Sequence, residues 1–224
     1  MRKYDLNETI FDKLTDNSAY WIGFLYGDGN CTCENKIRLA LAYIDYNHLI
    51  KFKSFIGSNK PIKTFQHSDG KNYCGFEFRS WYIHNVLRKY NLTSKKENRG
   101  RLCLDLLQDE YSRHFIRGLF DADGSFYYDG LHKNHLYAEI TGHMAVLKDV
   151  KNILVRFKVI SDKKKIVKNG TIFRIRMAKQ DTINFIKFIY ANSPRYFLSR
   201  KYGLAESYLE RLNDTTLLSE ATVH

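Results

Sequence analysis

The sequence predicts an α+β fold made of two similar halves, each running helix, two strands, helix, two strands, helix. Three observations lead there. First, the segment Ala-Tyr-Trp-Ile-Gly-Phe-Leu-Tyr-Gly-Asp-Gly at 19–29 returns as His-Phe-Ile-Arg-Gly-Leu-Phe-Asp-Ala-Asp-Gly at 114–124. The offset between Asp28 and Asp123 is 95 residues. Second, both copies lead into alternating apolar and polar residues, which suit a strand with one buried face. Third, Asp69-Gly70 and Asn169-Gly170 sit where each half needs a tight hairpin turn.

In chain order, residues 1–13 read as an N-terminal arm and 14–97 as the first repeat. Its opening helix ends near Asp28, and 37–41 alternate as a strand. A helix follows at 46–56, then a hairpin of 61–66 and 73–79, then a helix at 81–90. A short linker occupies 98–107, with polar Asn98-Arg99-Gly100-Arg101 at its start. The second repeat, 108–205, copies the plan: a motif helix, a strand at 136–140, a helix at 144–157, a hairpin of 164–168 and 171–177, and a helix at 180–191. A C-terminal helix and tail are expected at 206–224.

Composition narrows the class. The chain has 224 residues, 44% of them apolar, enough to bury a core rather than stay disordered. No apolar run approaches the roughly 18 residues of a membrane span, and the start lacks a signal-peptide core, so an intracellular protein with no membrane partner is expected. The cysteines at 31, 33, 74 and 103 suggest ordinary thiols; Cys31 and Cys33 lack the second pair a zinc site needs. The net charge of +12 points to a polyanionic partner, usually nucleic acid. It is spread evenly: residues 1–100 carry 16 Lys+Arg against 10 Asp+Glu, and 101–224 carry 20 against 14.

The repeated helices carry the chemistry. Ala19, Gly23 and Gly27 recur every four residues and share one helix face; Gly118 and Ala122 do so in the second copy. A glycine inside a helix costs about 1 kcal/mol relative to alanine. Bare faces of this kind let two helix backbones approach closely. Side-by-side packing through Ala19, Gly23 and Gly118 brings Asp28 and Asp123 together at the two C-terminal ends. Two carboxylates at the partially negative ends of two helices repel. A divalent cation cancels that penalty, and oxygen-only ligands suit Mg²⁺. The carbonyls of Gly27 and Ala122 are candidate further ligands. A calcium loop starting at Asp121 is excluded, because Phe126 and His132 stand where glycine and glutamate are required. A metal and a basic surface together suggest phosphodiester hydrolysis. Lys96 and Lys201 close matching basic blocks and are candidates to stabilise charge on the scissile phosphate. No side chain stands out as a proton-abstracting base.

The two copies, 21–29 and 116–124, resemble the paired motifs of LAGLIDADG homing endonucleases, in the monomeric two-motif branch. The second copy is close; the first has Tyr26 where the motif often has Asp. The resemblance covers roughly 14–205. It implies a tandem αββαββα fold whose two antiparallel sheets form a DNA-binding saddle. It also implies Mg²⁺ (with Mn²⁺ as a substitute) at Asp28 and Asp123, and Lys96 and Lys201 near the scissile phosphates. The implied activity is metal-dependent cleavage of both strands of a long, asymmetric target, in the setting of intron homing. Strand alternation then nominates a DNA face: Arg38, Lys63, Tyr73, Glu77, Arg79, Lys165, Lys168, Arg174 and Arg176. Two other readings use the same scaffold: an RNA-binding intron maturase, and a DNA-binding protein that does not cut.

Overall fold

The computed structural model describes residues 3–32, 34–68, 70–93, 101–103, 107–130 and 135–221, with side chains through 213. The elements follow in chain order. The first half is α1 (Asp16–Asp28), β1 (Gly29–Cys31), β2 (Lys36–Ala42), a single 3₁₀ turn, α2 (Tyr46–Phe55), β3 (Lys63–Gln66), β4 (Asn72–Arg79) and α3 (Trp81–Lys89). The second is α4 (Asp109–Asp123), β5 (Gly124–Tyr128), β6 (Leu136–Gly142), α5 (Met144–Arg156), β7 (Val167–Asn169), β8 (Ile172–Met177) and α6 (Gln180–Ile189). The last helix, α7 (Ser199–Ala221), starts seven residues ahead of the expected C-terminal segment and takes in Lys201.

The two sheets have the same topology. One is ordered β1-β2-β4-β3 and the other β5-β6-β8-β7, with antiparallel neighbours throughout. The chain is thus an α+β protein of two like halves.

Local signals set the boundaries. Thr15 caps α1: its hydroxyl accepts from the Ser18 amide at 3.1 Å while the Ser18 hydroxyl accepts from the Thr15 amide at 2.8 Å. Asp109 and Glu110 lie in the first turn of α4, where negative charge offsets the exposed amide dipoles. Ser80 caps α3 through the Ile83 amide. In β4, Cys74, Phe76 and Phe78 are buried and alternate with more exposed residues, as an amphipathic strand requires.

The second hairpin departs from the expectation. β7 is only three residues long, and Asn169 pairs with Ile172, so the turn residues are Gly170 and Thr171. Gly170 takes a positive φ of 61°, which glycine adopts without strain. Lys165 therefore precedes the strand; the neighbouring Lys164 is drawn off by an ion pair with Asp181. The first hairpin's Asp69 lies outside the described residues, and Gly70 beside it has a φ of +78°.

Both sheets pack one face against helices. The core runs without a break from Trp21, Phe52 and Phe76 in the first half to Phe120, Ile140 and Phe185 in the second. The bridge is the pair α1 and α4. A Cβ on Gly23 would fall 2.1 Å from the Phe115 carbonyl oxygen, and one on Gly118 would fall 2.0 Å from that of Tyr20. Side chains there would strike backbone, so these glycines are demanded by the approach of two helices. Ala19 is fully buried on the same face of α1.

Candidate metal and nucleic-acid site

The C-terminal ends of α1 and α4 meet between the halves. A Cβ on Gly27 would lie 2.3 Å from Ala122 Cβ and 3.1 Å from Asp123 Oδ2. Glycine at 27 thus keeps open the space into which the Asp123 carboxylate projects, one residue from Asp28. Asp28 and Asp123 are both partly exposed. Both also act on the buried Lys201 ammonium, raising its pKa. Each helix ends with its glycine amide bonded back into the last turn, Gly29 to the Leu25 carbonyl and Gly124 to that of Phe120. Two carboxylates at two helix ends form a hard, anionic oxygen set that fits a divalent cation. Among the described residues there is no group of three or more His, Cys, Asp and Glu placed to hold a metal. Carbonyls and water would have to complete the shell, as Mg²⁺ tolerates. A cavity of about 150 Å³ opens beside Asp123, lined also by Tyr26, Thr141 and His143.

Lys201 does not reach outward as the sequence suggested. It is 5% exposed, and its ammonium donates to the carbonyls of Phe120, Asp121 and Gly124 at 2.7, 2.7 and 2.6 Å. All three of its protons are used on the C-terminal end of α4. Burial pulls its pKa down from 10.5 to about 8, against the opposing pull of Asp121. Lys201 is a cap on this helix end, and all three of its donors are engaged by carbonyls. Lys96, its counterpart, lies outside the described residues.

Asp121 was not singled out from sequence. It is fully buried, accepting from Tyr20 Oη and the Leu198 amide, both at 2.8 Å. Burial raises its pKa. Tyr20 also bonds His48 Nε2 at 2.9 Å, and burial lowers the pKa of His48 to about 3. Beside them Arg117, 1% exposed, donates to the Tyr196 and Ile189 carbonyls at 2.8 and 2.9 Å and lies 3.0 Å from His114 Nδ1. The contrast of Asp121 with Tyr26 at the equivalent position was the available clue; Tyr26 is buried and packs against Phe115.

The nominated strand residues share the outer sheet faces, with differing freedom. Arg38 and Lys63 are exposed on the first sheet, where Arg38 pairs across the strand with Glu77. Arg79 is held by Glu34 at 2.7 Å, and Tyr73 stacks on Phe65. On the second sheet Lys168 is exposed, but Arg174 lies 3.4 Å from Glu139 and Arg176 3.2 Å from Asp129. Arg176 also sits 4.1 Å above the Tyr137 ring, which stacks on Tyr127. Glu139, Tyr127 and Tyr137 thus join the outer face, although only the arginines were named from sequence. Period-two alternation along 136–140 was the signal for them.

Residues 110–189 match the model of the LAGLIDADG-like domain family. That match spans the second repeat, from the first turn of α4 to the end of α6. Among solved structures, the I-LtrWI LAGLIDADG homing endonuclease bound to target DNA is 12% identical. That likeness covers 91% of this chain and 92% of that one, with a TM-score of 0.59. The I-SmaMI LAGLIDADG homing endonuclease bound to cleaved DNA is 14% identical, covering 93% of each chain at a TM-score of 0.59. Full-length DUF199/WhiA from Thermatoga maritima is 15% identical, covering 97% of this chain and 71% of that one at 0.55. At these identities the likeness establishes the LAGLIDADG fold. A comparison with curated protein sequences gives no match. No helix among the described residues is long and apolar enough to cross a membrane.

Proposed function

We propose that this chain is a site-specific endonuclease of the LAGLIDADG kind that cuts both strands of a long, asymmetric DNA target with Mg²⁺, or Mn²⁺ in its place. The observation that carries this reading is the meeting of Asp28 and Asp123 at the ends of two helices whose packing glycines admit no side chain. Two carboxylates at two helix ends repel; the Lys201 ammonium offsets part of that cost at α4, and a divalent cation between them would offset the rest.

Asp28 and Asp123 would hold the metal, with the Gly27 and Ala122 carbonyls as nearby oxygen donors. When bound, such a cation lowers the pKa of water and offsets charge on a phosphoryl group. The chain's own residues do the rest. Lys201 ties down the carbonyls around Asp123, so the carboxylate is held in place before substrate arrives. Arg38, Lys63, Lys168 and Arg174 offer cations to a duplex lying across the two sheets, and arginine can read guanine with two hydrogen bonds. Lys165 and Lys96 belong to the same expectation as phosphate contacts. The chain holds both aspartates, so one copy would suffice as a monomer. The expected biological setting is intron homing inside a cell.

The similarity to DUF199/WhiA favours one second reading, a DNA-binding protein that does not cut. One experiment separates them. Full-length protein is offered a plasmid library of randomised sites, with Mg²⁺, with Mn²⁺ or with EDTA. Recovery of linear plasmids sharing one sequence, only with the cations, is expected. Retention of specific plasmids on the protein without linear product in either cation would establish the non-cutting reading.

A further inference from the structure

A second basic surface lies on the helix side of the second repeat, away from the outer sheet face. An open cleft of about 900 Å³ runs between α5 and the segment 158–166, lined by Arg101, Lys148, Lys151, Lys163, Lys164 and Lys165. Two of these cations are already neutralised: Arg101 pairs with Asp149 at 2.8 Å, and Lys164 pairs with Asp181. Lys148, Lys151, Lys163 and Lys165 form no ion pair among the described residues. Asp162, in the same segment, is exposed but does not line the cleft.

The equivalent place in the first repeat is different. There α2 and the residues after it carry Lys51, Lys53 and Lys60. Lys51 is turned to the Phe197 carbonyl and ring, and Lys60 donates to the Glu77 carbonyl at 2.6 Å. Only Lys53 of these is left without such a contact, so the first repeat has no matching lysine cluster among its described residues. The cleft is also continuous with the outer sheet: 158–166 runs directly into edge strand β7, whose Lys168 is exposed. Lysines thus trace a path from the outer face, around the edge of the second sheet, to the back of α5. Four clustered, unpaired lysines without an aromatic platform suit a phosphodiester backbone rather than unstacked bases.

We propose that this cleft takes the phosphate backbone of duplex DNA flanking the recognition site, on the second-repeat side only, so that bound DNA bends around that edge. This rests on the DNA-binding part of the proposed function and not on cleavage. Bending a duplex costs elastic energy, which the added phosphate contacts offset.

The test uses full-length protein and three duplexes: the recognition site alone, the site extended by about 15 base pairs beyond the first repeat, and the site extended equally beyond the second. Affinity is measured from 50 to 300 mM salt for wild type and for Lys148→Gln/Lys151→Gln/Lys163→Gln, which leaves Lys165, a candidate contact to the site itself, in place. All three side chains are at least partly exposed, and thermal melting verifies that the variant is folded. The second-repeat extension is expected to tighten wild-type binding about tenfold at 50 mM salt, and to steepen the log affinity against log salt by roughly 0.9 per added phosphate contact. The variant loses that gain and keeps wild-type affinity for the site alone. An equal gain from either extension, no gain, or a gain that survives in the variant would overturn the proposal. So would a variant that binds structured RNA less well while the extensions have no effect, which would assign the cleft to RNA. Failure of the nuclease reading would appear separately, as absence of cleavage of the site alone.

Discussion

The two motif helices have the same job and are stabilised by different means. α1 buries every residue from Ser18 to Gly27, and none of them is charged. α4 buries an arginine and an aspartate in the same kind of contact. At the position of Ile22, 95 residues on, stands Arg117; at the position of Tyr26 stands Asp121. Both charges in α4 lean on the chain that returns beneath it at 189–201: Arg117 donates to the Ile189 and Tyr196 carbonyls, Asp121 Oδ2 accepts from the Leu198 amide, and the Lys201 ammonium favours the Asp121 carboxylate, whose Oδ1 has no hydrogen-bond partner among the described residues. The difference shows that the shared signature specifies helix approach and carboxylate position, and leaves the remainder of each helix free to follow its surroundings. It also makes the second repeat depend on its C-terminal segment.

That contrast can be broken at its strongest point. Arg117→Met strips a buried cation from Tyr196, Ile189 and His114 and is expected to cost about 3–5 kcal/mol in chemical denaturation. Ile22→Val, at the matching position of α1, should cost only about 0.5–1.5 kcal/mol. Equal losses would mean that the charge network is incidental to the stability of α4.

The feature the helices share gives a second test. Gly118→Ala and Gly23→Ala each push a Cβ into the backbone of the facing helix, so each should cost about 1–3 kcal/mol. Gly130→Ala, with no atom within 4 Å of the added Cβ, is the neutral control. A harmless Gly118→Ala would contradict the close approach.

Acid sharpens the comparison through His48, which reaches the α4 carboxylate by way of Tyr20. Its folded-state pKa of about 3 lies below the ordinary 6.5 because burial disfavours the cation, as do Lys51, Lys201 and Arg200. The unfolded chain therefore takes up this proton first. The contribution of His48 is fully present above pH 6.5 and is lost as pH falls toward 3. One such proton corresponds to about 1.4 kcal/mol per pH unit. Unfolding measured from pH 7 to 4.5 should become less steep in pH by about that amount in His48→Phe.

The smallest effect is expected on the outer sheet. Arg174 is shared with Glu139, so Arg174→Ala should relax discrimination at one target position by about 1 kcal/mol. A uniform loss across sequences would mean that Arg174 touches phosphate only.

Much of this was legible in the sequence. Alternation placed Cys74, Phe76 and Phe78 inside β4, and four-residue spacing of Gly23 and Gly27 announced a close helix contact. Periodicity reports which way a side chain leaves the backbone, and that sufficed for sheets and helix faces. It does not report what arrives from elsewhere in the chain. Lys201 reads as a candidate to meet the scissile phosphate because nothing local shows that it runs under the end of α4, eighty residues back along the chain. Asp121 was passed over for the same reason, since its partners Tyr20 and Leu198 are distant in sequence. The three-residue β7 was overestimated because Lys163, Lys164 and Lys165 precede an Asn-Gly turn, and the pull of Asp181 on Lys164 is a tertiary effect.

The most direct measurement is of Asp28→Asn and Asp123→Asn on the recognition duplex, with Mg²⁺-dependent cleavage and DNA affinity determined on the same preparations. Each substitution removes a negative charge with little change in shape. Cleavage should fall by orders of magnitude in both variants, while affinity in EDTA stays at or above that of wild type. Undiminished cleavage by either variant would contradict a shared metal site between the two helix ends.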